Sequence, residues 1–204
     1  MSQVASHDHD HHDHGHGHID QNKLKLFGFW LFMMTDVILF STLFATFIVL
    51  RENTAAGPIG ADLIEMNGII ISTFILLTSS FTSGLATLAM NRGNKKGLIS
   101  WLIVTVILGA AFLFLEINEF VHLVQHGAAI HTSAFWSAFF TLVGTHGLHV
   151  TIGIVWIIGI CLQLAKRGIT PETKRRVNIT GLYWHFLDVV WIFVFTIVYL
   201  MEVM

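Results

Sequence analysis

The chain has 204 residues, of which 54% are hydrophobic and 12% charged, about half the charged fraction of an ordinary soluble domain. Its net charge of -2, two prolines and single cysteine exclude a basic surface for nucleic acid, a proline-rich linker, a disulfide framework and a cysteine-based zinc site. Charge is also unevenly spread: ten of the eleven Lys and Arg lie in three short clusters, and seven of the thirteen His fall within the first 18 residues.

Residues 1–22 are low in complexity, interleaving His7, His9, His11, His12, His14, His16 and His18 with Asp8, Asp10 and Asp13. Imidazole and carboxylate suit Zn, Ni or Cu, which leaves a cytoplasmic metal or proton buffer open. The expectation is a disordered tail that binds such ions weakly, as any His-rich peptide does. Residues 23–204 read as one membrane domain. A transmembrane helix needs about 20 mostly apolar residues to cross about 30 Å of hydrocarbon. Residues 27–50, 68–90, 98–120, 134–164 and 178–201 meet that length. The predicted fold class is therefore all-α, a polytopic membrane protein with five transmembrane helices. The fourth stretch is longer than a span, so it must tilt or extend past the bilayer.

Short loops rich in Lys and Arg stay in the cytoplasm. Lys23 and Lys25 precede the first span, Arg92, Lys95 and Lys96 follow the second, and Lys166, Arg167, Lys174, Arg175 and Arg176 follow the fourth. The opposite side keeps Arg51 beside Glu52. This distribution predicts a cytoplasmic N-terminus and a periplasmic C-terminus. Gly57-Pro58 marks a turn in the first outer loop, and Gly93-Asn94 one in the tight inner loop.

Ionisable groups in a span are costly and face other protein or a water cavity. Asp36 stands near the middle of the first span. Glu116 and Glu119 pair at i, i+3 at the outer end of the third, His146 and His149 inside the fourth, and His185 and Asp188 in the inner half of the fifth. Such pairs share a helix face. No Lys or Arg lies in these spans, so each carboxyl is expected to be neutral, hydrogen-bonded, or matched by a histidine on another helix. Two readings of this polar network stand: interhelical hydrogen bonds that fix packing, which the three pairs favour, and a proton or ion path, which Asp36 supports equally. Glu116 or Glu119 is expected to meet the His-bearing face of span four, its antiparallel neighbour. No catalytic, cofactor-binding or metal site is assigned, because the candidate ligands sit at different depths. Small residues at Ser79 with Ser83, Ser80 with Gly84, and Gly144 with Gly147 suggest close helix contacts. Trp30, Trp101, Trp136 and Trp184 suit an interfacial belt.

Four stretches are more specific. Gly144-Thr145-His146-Gly147-Leu148-His149-Val150 and Tyr183-Trp184-His185-Phe186-Leu187-Asp188-Val189-Val190-Trp191 resemble the most characteristic stretches of subunit III of haem-copper respiratory oxidases. Leu115 to Phe120 resembles that family's glutamate-bearing helix, and Met34 to Phe40 its first shared helix. The resemblance runs in order from about residue 23 to 201. Seven helices are usual in subunit III of cytochrome c oxidases, with Glu at the position of Asp36. Five helices, the aspartate and the His-rich tail look instead like subunit III of bacterial cytochrome bo-type ubiquinol oxidase.

That resemblance implies a non-catalytic subunit of a proton-pumping complex of the inner membrane that oxidises ubiquinol and reduces oxygen to water in aerobic respiration. The haems and copper would sit in subunit I, with subunits II and IV as further partners and no nucleic acid. Spans one and two would lean away from spans three to five around a cleft filled with phospholipid. The alternative from another class is a secondary metal-cation transporter, suggested by the His-rich tail and the polar groups in the spans. Neither proline lies within a span, against the broken helices expected of such a transporter.

Overall fold

The computed structural model describes residues 21–52 and 66–201. The His-rich segment, the Gly57-Pro58 turn and the last three residues lie outside them. Five long helices follow in order: α1 (Gln21–Leu50), α2 (Met66–Asn91), α3 (Lys95–Gln125), α4 (Ala134–Arg167) and α5 (Pro171–Val194), the last running into a π-helical stretch, Phe195–Leu200. Each is long and apolar enough to cross a membrane. The 34 residues of α4 extend about 51 Å at 1.5 Å per residue, more than the hydrocarbon thickness, as its sequence predicts.

Helix ends follow local chemistry. Gly93 adopts φ 72°, and Asn94 caps α3 by accepting from the Gly97 N–H at 3.0 Å. Ser133 caps α4 through the Trp136 N–H. Helix α5 begins at Pro171 instead of residue 178. Thr170 and Thr173 exchange backbone-to-hydroxyl bonds of 3.2 and 2.7 Å with Pro at the first position, a start signal that the charged run Lys174-Arg175-Arg176 masks in a hydropathy reading. Helix α3 likewise continues to Gln125, five residues beyond the expected end.

Helices α2 to α5 form a bundle in which α2 packs chiefly on α3 and also on α5, while α3 packs on α4 and α4 on α5. Helix α1 docks along α4 and more lightly on α5. The expected separation of spans one and two from the other three is therefore corrected: α2 is integral to the bundle, and α1 alone is peripheral. The buried stripe of α1 is narrow, comprising Phe29, Met33, Asp36, Phe40 and Phe47, a spacing of three, four or seven residues that holds one helix edge. The rest of α1 is an apolar outer surface, with Met34, Ile38 and Val49 all exposed.

The turns carrying Arg92 and Arg167 lie at the same end of the bundle, where Lys95 Nζ donates to the Ala165 carbonyl at 3.1 Å. A cation there meets the unpaired carbonyls of a helix C-terminus.

Two of the four supposed belt tryptophans are core residues. Trp30 and Trp101 are exposed, but Trp136 and Trp184 are 0% and 1% exposed. The Trp184 ring lies between Gly109 of α3 and Gly153 of α4; a Cβ on either glycine would stand 2.8 or 3.0 Å from ring carbons. Its Nε1–H donates to Ser79 Oγ at 3.2 Å, and Ser79 Oγ donates to the Thr105 carbonyl at 3.2 Å. Buried indole is tolerated where its N–H finds such a partner. Of the small residues singled out, Ser79 and Ser83 face the bundle, whereas Gly84 is exposed with nothing near it.

Candidate functional site

The intramembrane polar residues fall into three places. On the α1–α4 seam, Asp36 Oδ1 lies 3.7 Å from His149 Nε2. His149 Nδ1 is 2.7 Å from the Thr145 carbonyl, which can only accept, so Nδ1 carries the hydrogen and Nε2 is left to face the carboxyl. The Tyr183 hydroxyl donates to the His149 carbonyl at 3.2 Å, tying α5 to the same point. This is the carboxyl–imidazole match between helices expected from the absence of cations, realised between α1 and α4.

Between α2 and α5, Ser80 Oγ and His185 Nδ1 are 2.6 Å apart, and Asp188 Oδ2 lies 3.9 Å from the same nitrogen. Asp188 is buried and His185 exposed. Because α5 starts early, this pair stands near the midpoint of the continuous helix 171–200.

The third place is the α2–α3–α5 junction. Glu116 is buried against Gly147 of α4, 3.3 Å from where a Cβ would stand. It reaches the expected face of α4, but hydrogen-bonds to neither histidine. Both its oxygens lack a hydrogen-bond partner among the described residues. Glu116 and Glu119 line a cavity of about 90 Å³ with Ser72, Trp191 and Tyr199. His146 is fully buried, its ring against Phe40, Phe112 and Trp191, and neither nitrogen is hydrogen-bonded. It is an aromatic packing element, contrary to the hydrogen-bonding role expected of it.

Among the described residues no three His, Cys, Asp or Glu side chains come together as metal ligands. The carboxyls and imidazoles of the described residues can take up and release protons.

Comparison with known proteins agrees with the motifs. The family described as cytochrome c oxidase subunit III matches residues 7–203. The chain is 58% identical over 182 residues to the "Quinol oxidase subunit 3" of Bacillus subtilis (strain 168), covering 89% of each. It is 50% identical over 185 residues to the "Cytochrome bo(3) ubiquinol oxidase subunit 3" of Pseudomonas putida, covering 91% of this chain and 89% of that one. A "Cytochrome c oxidase subunit 3" of Alkalihalophilus pseudofirmus is also 50% identical, over 90% of this chain and 89% of that one. The match spans nearly all of the five helices and the three polar clusters they carry, and the chain belongs to the cytochrome c oxidase subunit III family.

Proposed function

We propose that this chain is the non-catalytic third subunit of a proton-translocating haem-copper quinol oxidase, a complex that oxidises quinol and reduces oxygen to water. The observation that carries the reading is 58% identity to a quinol oxidase subunit over 89% of both chains. The donor is quinol on that identity, and ubiquinol on the Pseudomonas relative. Oxidase subunits at this identity give the transporter alternative no support. The haems and copper belong to subunit I, a reading supported by the likeness to third subunits of oxidases. Subunits I, II and IV are the partners, and the exposed apolar face of α1 offers a surface for one of them.

The complex sits in the bacterial inner membrane with the N-terminus of this chain cytoplasmic and its C-terminus periplasmic. The clustering of cationic turns at one end supports that orientation. Residues 23–204 form the membrane domain and residues 1–22 a His-rich cytoplasmic tail. The polar residues Asp36, Glu116, Glu119, His149, His185 and Asp188 serve assembly and, where carboxyls face water, proton exchange, while His146 fills space among aromatic rings. Bound phospholipid is supported by a groove of about 430 Å³ where Lys166, Arg167 and Arg176 stand beside Trp156 and Ile160, cations beside an apolar floor.

Purification of the tagged chain in mild detergent tests the reading. A haem-containing partner and oxygen uptake driven by quinol are expected. A monodisperse chain without haem proteins refutes the subunit role, and uptake driven only by reduced cytochrome c refutes the quinol assignment.

A further inference from the structure

Glu116 lies about 14 Å from the Gln125 end of α3, at 1.5 Å per residue. It is 7% exposed, and neither oxygen has a protein partner among the described residues. A buried carboxyl in that state is costly unless something else satisfies it. The adjoining cavity of about 90 Å³ has room for several waters, since one needs only about 10–15 Å³ of such volume. Its wall supplies the polar partners that ordered water requires: Glu119, Asn118 and Ser72 beside Glu116. Glu119 is only partly buried, so it stands between the cavity and the surface.

The far wall is built by a departure from α-helical geometry. Residues Phe195–Leu200 are π-helical, and Tyr199, 1% exposed, lines the cavity from that stretch. Short π-helical segments recur where a helix must re-aim side chains for a site.

No Lys or Arg is among the described residues that line the cavity. Helix α2 contributes Gly68, Ile69 and Ser72, and α5 contributes Trp191 and Tyr199. Helix α4 brings Gly147 to Glu116, while the adjacent His146 ring is enclosed by aromatic rings. Among the described residues, the titratable groups around Glu116 are Glu119, Tyr199 and, behind aromatic packing, His146. Glu116, enclosed in this low-dielectric pocket with neither oxygen bonded among the described residues, is the carboxyl whose charged form would be costly there.

We propose that this cavity is a hydrated proton-binding site, in which Glu116 holds an exchangeable proton. The proton enters as a carboxylate oxygen of Glu119 takes it from external water. It passes through cavity water to a Glu116 oxygen and leaves by the same route, with no bond formed or broken except to hydrogen. The site requires only that the bundle stand in a membrane, so it survives or fails independently of the oxidase reading.

Infrared spectroscopy of the intact complex in lipid tests it through the C=O stretch of protonated carboxyl. A band should be present, shift promptly on exchange from H2O to D2O, and disappear in Glu116→Gln. In Glu119→Gln it should persist but be lost at a different pH. If Glu116→Gln fails to assemble, Glu116→Asp should move the band. The D2O and salt measurements need no variant. A band that ignores D2O overturns the proposal by showing a dry, purely structural acid. One that ignores both Glu116 substitutions belongs elsewhere, and one abolished by NaCl or CaCl2 at fixed pH marks a metal-cation site; either result also overturns it.

Discussion

Substituting Gly109 by alanine tests the packing of the bundle at its tightest point. A Cβ there would stand 2.8 Å from Trp184 Cη2 and 3.0 Å from Cζ2, where carbon pairs rest at about 3.5–4.0 Å. The ring would have to retreat by roughly 0.7–1.2 Å, on the difference of those distances. Its retreat is restricted, because Gly153 of α4 also stands so near that a Cβ there would be 3.0 Å from Cζ3, and the indole N–H is held by Ser79. Overpacking of this kind costs about 1–3 kcal/mol. Replacing glycine inside a helix also returns about 0.8–1 kcal/mol in helix propensity, which would hide part of the loss. Gly84→Ala and Gly159→Ala supply the correction, since nothing lies within 4 Å of either added carbon. The difference between Gly109→Ala and these controls should be about 1–3 kcal/mol, read as a lower temperature of subunit dissociation in mild detergent. Trp184→Phe, which shortens the ring, should recover part of the loss in combination with Gly109→Ala, a coupling that a double-mutant cycle measures. Equal stability of Gly109→Ala and both controls would refute the wedged-indole account.

Four other outcomes are expected. His149→Leu removes the group facing Asp36 and should cost about 1–3 kcal/mol, whereas His146→Leu, which replaces two unbonded buried nitrogens by apolar carbon, should leave the dissociation temperature unchanged or raise it; the reverse order would contradict the distances. Asp36→Asn keeps the shape and hydrogen-bonding capacity beside His149, so quinol oxidation and proton translocation should stay near wild type; intact oxygen consumption with strongly reduced pumping would place Asp36 on a proton route. Reporter fusions at Asn94 and Glu172 should read as cytoplasmic and those at Gly57 and Gly127 as periplasmic, and an outer signal at Glu172 would overturn the orientation. The chain without residues 1–21 should hold no stoichiometric haem or transition metal by elemental analysis, and one tightly bound metal per chain would revive the transporter.

The five helices were legible because hydrocarbon thickness imposes a length that few other constraints imitate. Their ends were legible where the apolar run stopped or a turn pair such as Gly93-Asn94 marked the boundary. The start of α5 lies in Thr170-Pro171, ahead of five residues that include Glu172, Lys174, Arg175 and Arg176. Capping chemistry and hydropathy disagree there, and the cap, which satisfies backbone groups directly, decides where the helix begins.

Which helix meets which was less legible, because a sequence supplies neighbours along the chain and α1 chooses α4. The partner of Asp36 thus stands on a helix more than a hundred residues away, and only the need for some histidine was readable. The tryptophans show the same boundary from the other side. Position near a helix end suggests a belt, yet Trp184 is drawn inward by two glycines on different helices and a serine on a third. None of the three is distinctive alone: Gly109 sits in an ordinary apolar run, while Gly84, within a conspicuous Ser-rich stretch, touches nothing. In a bilayer, apolar surface gains little by turning from lipid to protein, so close packing and hydrogen bonds choose the inward face. Both depend on what the opposing helix offers, which is why helix existence could be read from one strand of sequence and the polar junctions could not.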